Sequence, residues 1–195
     1  MKVVYKDALF LIKKYDTTDF IQNMQEIVSN CNRVIASYEI VDETDEMLYA
    51  NDDYDFEKDK EALSDLFTNN FLDNIKYNVY ILYIENAPIG YAIYSQKDNT
   101  NSYVLEFIHM SKDYTSMGYG TFLLKQSATN LKNTEKAEEI MSTINKNNAK
   151  SLYLHESFIA KNGLKYYIND YGDRFVWHMD ISKLNEKSET SDLTL

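Results

Sequence analysis

The chain has 195 residues, 44% of them hydrophobic and 14% aromatic, with a formal net charge of −11. That length and apolar content suit one folded domain with a substantial core and exclude a disordered chain. The acidic balance excludes a nonspecific nucleic-acid binder and a protein that docks on anionic membrane, and it suits a cationic partner or plain solubility.

From the N-terminus, MKVVYKDALFLIKKYD alternates charged and apolar residues, so neither a signal peptide nor a transmembrane span is predicted. Ala8 to Tyr15 predicts a first strand. Asp16-Thr17-Thr18-Asp19 then reads as a helix cap. Phe20, Ile21, Met24, Ile27, Val28 and Cys31 follow at helical spacing, predicting an amphipathic helix to about Ser37. Cys31 is the single cysteine, so no intrachain disulfide forms, which fits a reducing cytoplasm; inside the helix it reads as a packing residue. The three histidines and this cysteine lack metal-ligand spacing, and no metal site is expected. Val41 to Lys60 is acidic and weakly periodic, an exposed connection; its carboxylates from Asp42 to Asp59 suit a cationic partner. A second helix is predicted over Phe56 to Ile75, with Leu63, Leu66, Phe67, Phe71 and Leu72 on its buried side.

Beyond Tyr77 the pattern turns to strands. Val79 to Glu85 and Ile89 to Ser95 predict a hairpin turned at Asn86-Ala87-Pro88, and Gly90 marks a bulge or a close backbone approach. Tyr103 to Met110 extends the meander. Ser111 to Gly120 is a polar turn ending in Gly-Tyr-Gly, and a helix follows from Thr121 to about Asn130. Ala137 to Ile144 reads as a strand, Ala149 to Lys161 as a helix stopped by Asn162-Gly163, and Leu164 to Asn169 with Arg174 to Ser182 as a last strand pair. The order is β-α-α-β-β-β-α-β-α-β-β, an α+β fold, read as one domain over residues 1–184 with a flexible tail over 185–195. The strand–turn–helix–strand unit predicts parallel strands with a right-handed crossover. Two of only five glycines, Gly118 and Gly120, lie where that strand feeds its helix. Such a corner suits phosphate, because the first helical N–H groups lack intrahelical partners and the dipole makes that end positive; taken alone, Gly-x-Gly is read first as glycines that merely serve the turn.

The element order and the loop Thr115-Ser116-Met117-Gly118-Tyr119-Gly120 resemble the GNAT-type N-acetyltransferases, whose Arg/Gln-x-x-Gly-x-Gly/Ala loop holds the pyrophosphate of acetyl-CoA. Both glycines match, and Thr115 stands where the family has Arg or Gln. Downstream, Asn148, Ser151, Leu154, His155 and Glu156 match the family's Asn-x-x-Ala/Ser-x-x-Leu-Tyr/His-Glu pattern. The resemblance covers roughly Tyr77 to Met179. It implies a central mixed, mostly antiparallel twisted sheet flanked by helices, and acetyl transfer from acetyl-CoA to a primary amine of a small molecule or peptide. The alternative it leaves is an inactive acyl-CoA-binding or interaction module.

The resemblance also implies roles. Backbone amides at Met110, with Ile108 alongside, polarise the thioester and pair with pantetheine. Thr115, Ser116, Met117, Gly118, Tyr119, Gly120 and Thr121 cradle the diphosphate. Asn148 and Ser151 contact pantetheine, unless Asn148 serves only as a helix cap. Glu106 is the candidate general base, sharing strand parity with Ile108 and Met110, beside the bland reading of a solvated or salt-bridged carboxylate. His155 and Tyr153 compete for the general acid, about 200° apart on their helix. His109 reads as structural, and Trp177 and His178 as lining for the acceptor. The expected partners are acetyl-CoA and an amine acceptor, with no nucleic acid or membrane, in a cytoplasmic monomer or homodimer.

Overall fold

The computed structural model describes residues 1–5, 8–38, 56–68, 76–98 and 100–185. Eight strands form one sheet in the order β1-β2-β3-β4-β5-β6-β8-β7. They are β1 (Lys2–Tyr5), β2 (Ala8–Asp16), β3 (Tyr77–Ile84), β4 (Ala87–Gln96), β5 (Ser102–Met110), β6 (Glu139–Asn145), β7 (Lys165–Asp170) and β8 (Arg174–Asp180). The described helices are α1 (Thr17–Ala36), α2 (Phe56–Thr68), α3 (Tyr119–Glu135) and α4 (Ala149–Asn162). Among the described residues the expected order of helices and strands holds, with one added strand. β1 is a short strand paired antiparallel to β2, and four residues are too few to show a period. The acidic segment from Asp42 to residue 55, Phe71 and Leu72, the side chain of Phe67, and the tail beyond residue 185 lie outside the described residues; Phe56 to Asp59 belong to α2.

Both faces of the sheet are covered. Phe10, Tyr80, Leu82, Ala92, Tyr94, Tyr103 and Leu105 pack with Phe122, Leu123, Leu124, Ala128 and Leu131 of α3 and Phe158 and Ile159 of α4. On the other face Val79, Ile81, Tyr83, Tyr91 and Ile93 pack with Ile27, Cys31, Val34 and Ile35 of α1 and Leu63 and Leu66 of α2. Alternate residues of β3 and β4 therefore enter different cores, which explains their unbroken apolar runs. Cys31 is fully buried, and that burial pushes its thiol pKa up, as befits a packing residue.

The β3–β4 turn is Glu85-Asn86, both with positive φ (47° and 73°), the pattern of a two-residue type I′ hairpin. The turn thus precedes the expected Asn86-Ala87-Pro88, and Pro88 lies within β4 opposite Tyr83. A register shift makes Ile89 the extra residue beside Gly90. A Cβ on Gly90 would meet Met110 Sδ at 2.5 Å and His109 O at 2.9 Å, so the close approach expected there is real.

β5 and β6 are parallel, as the crossover through α3 requires, but only Ser102–Leu105 pairs with Glu139–Ser142. β5 continues on β4 to Met110, and β6 continues on β8 to Asn145. The sheet therefore splits beyond Leu105, leaving a wedge between the two strand ends. At the opposite end, Glu135 closes α3 onto the sheet, accepting hydrogen bonds from Lys14 Nζ and Lys76 Nζ, each at 2.6 Å. Burial alone would raise its carboxyl pKa; the two lysines outweigh burial and hold it at about 2. A depressed carboxyl pKa contributes stability above its ordinary value and loses it as pH falls toward 2. Glu135→Gln is expected to lower the unfolding free energy by about 2 kcal/mol at pH 7. Urea titration should show that difference shrinking between pH 4 and pH 2; a constant difference would refute the assignment.

Candidate active site

The wedge begins at a bulge. Tyr94 pairs with Leu105 and Ile93 with Phe107, so Glu106 is the extra residue of β5. An extra residue inverts side-chain parity. Tyr103, Leu105 and Met110 share the α3 core, with Ile108 packed against it, while Phe107 packs on the α1 core. The expectation that Glu106 projects with Ile108 and Met110 is therefore corrected. Its carboxylate accepts a hydrogen bond from Ser95 Oγ. Ser95 follows Tyr94, which faces α3, so Ser95 and Glu106 lie on the α1 side. Glu106 is an exposed residue at the apex of the wedge, one residue beyond the last β5–β6 pair.

The same register fixes the backbone. Ser111 N donates to Ile89 O at 2.8 Å, toward β4. By the alternation of an antiparallel pair, the N–H and C=O groups of Ile108 and Met110 turn away from β4, into the wedge. The Met110 carbonyl accepts a hydrogen bond there from Tyr38 Oη at 2.9 Å, and Lys112 N donates to Ser37 Oγ at 2.9 Å. Two hydroxyls just past the end of α1 thus tie it to the end of β5. No sequence period signals such a contact across 72 residues of chain.

Beyond β5, Lys112–Tyr114 forms one 3-10 turn, closed by Thr115 Oγ1 donating to Lys112 O at 2.8 Å. The hydroxyl standing in the Arg/Gln position is thereby folded back onto its own turn. Ser116 and Gly118 take left-handed backbone (φ 60° and 84°), and α3 starts at Tyr119, two residues earlier than expected, with Gly118 as its N-cap. Phe122 N makes the first intrahelical bond, to Gly118 O, so the amides of Tyr119, Gly120 and Thr121 precede any helical acceptor. No acidic side chain occupies this first turn. Met117 is exposed, whereas the Tyr119 ring packs against Phe10 and Tyr114. A Cβ on Gly120 would lie 2.8 Å from Leu154 Cδ1, so this glycine lets α4 approach the start of α3.

In α4, Asn148 is the N-cap: its Oδ1 accepts from Ser151 N at 2.9 Å. That oxygen is committed, and its Nδ2 is the atom left for a ligand. Ser151 O in turn lies 2.8 Å from His155 Nδ1. A carbonyl only accepts, so Nδ1 carries the ring proton, and the buried Nε2 is bare and without a partner. Burial depresses the imidazole pKa to about 4, against a smaller opposing effect of that bond. His155 packs near Trp177 in the α3 core, so Trp177 does not line an acceptor path as expected. Tyr153 is 72% exposed on the outer side of α4. His178 bonds Glu139 at 3.0 Å and stacks on Tyr167, at the far end of β6 from the wedge. His109 stacks on Tyr91 toward α1. Glu106 and the Ile108 and Met110 amides thus lie along the stretch of β5 beyond its last pair with β6, and that stretch runs on into the Gly118 corner, while Tyr153 lies exposed on α4 and Trp177 is buried in the α3 core.

Among the described residues no helix is long and apolar enough to cross a membrane. A search of curated proteins finds no significant match. Solved structures with a similar fold include the PaiA N-acetyltransferase from Thermoplasma acidophilum in complex with coenzyme A, 17% identical over 88% of this chain and 98% of that one, with a TM-score of 0.50. An acetyltransferase from Streptococcus agalactiae is 16% identical over 88% and 98% of the two chains, at a TM-score of 0.55. One from Thermus thermophilus is 16% identical over 92% and 98%, at 0.53. At such identities the likeness is one of fold. The profile of the Acetyltransferase (GNAT) family matches residues 39–158, more than half of the sequence, and the chain belongs to that family.

Proposed function

We propose that this protein transfers the acetyl group of acetyl-CoA, the cosubstrate of its family, to a primary amine. The observation that carries the reading is the wedge between β5 and β6, where the amides of Ile108 and Met110 have no strand to pair with and the chain runs on into a glycine-capped helix start. An extended pantetheine arm adds to that edge as a strand would, and the diphosphate takes the amides around Gly118, from Ser116 and Met117 to Thr121. Met110 N–H then polarises the thioester carbonyl. Asn148 Nδ2 and the Ser151 hydroxyl face the remaining polar atoms of the arm.

Glu106 serves as the base from the α1 side, so the amine enters from the face opposite α3 and α4. The arrangement disfavours His155 as the acid, because its Nδ1–H is given to Ser151 O and burial disfavours a second proton on Nε2. Tyr153 stands in solvent and is a poor donor to a buried sulfur. These positions, with the folded-back Thr115, favour a second reading, a protein that binds acyl-CoA without turnover.

Calorimetric titration with acetyl-CoA, followed by a thiol-release assay with lysine methyl ester, 1,4-diaminobutane and an alanine-initiated peptide, separates the readings. Binding with amine-dependent release is expected; binding without release would favour the second. Glu106→Gln is expected to cut kcat/KM for amine roughly 10²-fold with acetyl-CoA affinity unchanged, and an unaltered rate would remove Glu106 from the mechanism. Nitrogen-detected NMR should find His155 neutral and protonated at Nδ1 down to a pH of about 4; an imidazolium at pH 7 would restore it as a donor.

A further inference from the structure

If acetyl transfer occurs in the wedge, the departing thiolate needs a proton, and α4 presents no well-placed donor. The chain just past α1 brings a hydroxyl to the wedge. Tyr38 lies just beyond the last turn of α1, and its hydroxyl stands 2.9 Å from Met110 O. That oxygen faces the wedge, because the next amide, Ser111 N, faces β4. The hydroxyl is therefore on the same side of β5 as the Met110 N–H, next to where the thioester carbonyl is bound. Its approach is built. Ser37 Oγ receives Lys112 N and itself donates to Val34 O at 2.7 Å, clamping the end of α1 to the chain that leaves β5. Tyr38 N closes on Ile35 O at 3.0 Å. The phenol is partly buried.

We propose that Tyr38 is the proton donor to the sulfur of CoA, an inference that rests on the acetyl-transfer reading above. Glu106 takes a proton from the entering ammonium. The amine lone pair forms the new C–N bond at the thioester carbonyl, and the C–S pair leaves on sulfur. A short swing of the phenol exchanges Met110 O for sulfur, and its proton goes there, giving the free thiol. The proton shed by the newly acylated nitrogen returns to the phenolate, and the exposed Glu106 gives its proton to solvent, so both groups end the cycle as they began.

Tyr38→Phe keeps the ring and removes the donor. With acetyl-CoA and the three amine probes, it is expected to lower kcat roughly 10²-fold, to leave acetyl-CoA affinity by calorimetry unchanged, and to abolish the alkaline limb of the kcat–pH profile. A hydroxyl that merely braces Met110 would not set that limb. Replacing Tyr38 with 3-fluorotyrosine, whose phenol is more acidic, keeps the hydrogen bond and should shift the limb to lower pH; it also serves if the Phe variant folds poorly. Wild-type turnover with an unshifted limb in the fluorotyrosine protein overturns the donor role and leaves the transfer reading standing. Wild-type protein that binds acetyl-CoA and releases no thiol also overturns the donor role. Failure to bind acetyl-CoA at all overturns both.

Discussion

A parallel strand pair that stops after four residues is the constraint from which the rest follows. β5 and β6 share only Ser102–Leu105 and Glu139–Ser142, after which each stays with its outer neighbour, β4 or β8. The bulge at Glu106 supplies the bend, since an extra residue increases local twist and turns the strand away. Strand edges left open expose backbone donors and acceptors that must be met by water or a ligand. Here the open edge is short, flanked by a polar turn, and directed at a helix start whose first amides precede any helical acceptor. The two sets of amides follow one another along the chain, so one extended ligand can reach both.

The elements are legible in the sequence because their signals are local. Glu85 and Asn86 apart, the β3–β4 hairpin follows from its β-branched and aromatic runs, and α4 follows from Asn148 at one end and Gly163, at φ 60°, at the other. Gly163 N reaches Ala160 O and Ile159 O, so the stop expected from Asn162-Gly163 is an ordinary left-handed C-cap. α3 begins two residues before its pattern places it because Gly118, a turn former in any sequence pattern, also serves as an N-cap.

The candidate site is legible only where backbone carries it. The Gly118 corner and the Ile108 and Met110 edge depend on strand and helix positions, which the pattern supplies. Side-chain roles depend on facing, and facing fails at the first irregularity. Parity counted from Met110 back to Glu106 assumes an unbroken strand, and a bulge is invisible in a run such as Val104-Leu105-Glu106-Phe107. His155 fits its motif by spacing, yet spacing cannot tell that Ser151 O holds its proton or that Trp177 closes over it.

Tyr38 illustrates the opposite case, a side chain with no motif and a place fixed wholly by tertiary structure. Its neighbours in sequence show only the fading of a helix. What positions it is the packing of Ile27, Cys31, Val34 and Ile35 against the sheet, which sets where α1 ends. Substitution in that core would shift the phenol without touching the wedge, much as a small misplacement far from the chemistry can cost a large factor in rate. The α1 layer is therefore more than a cover for one face of the sheet. By ending beside Met110 it gives the wedge a wall on the side on which Glu106 lies. The α1 layer and the end of β5 are then held in register by two hydroxyls, Ser37 and Tyr38.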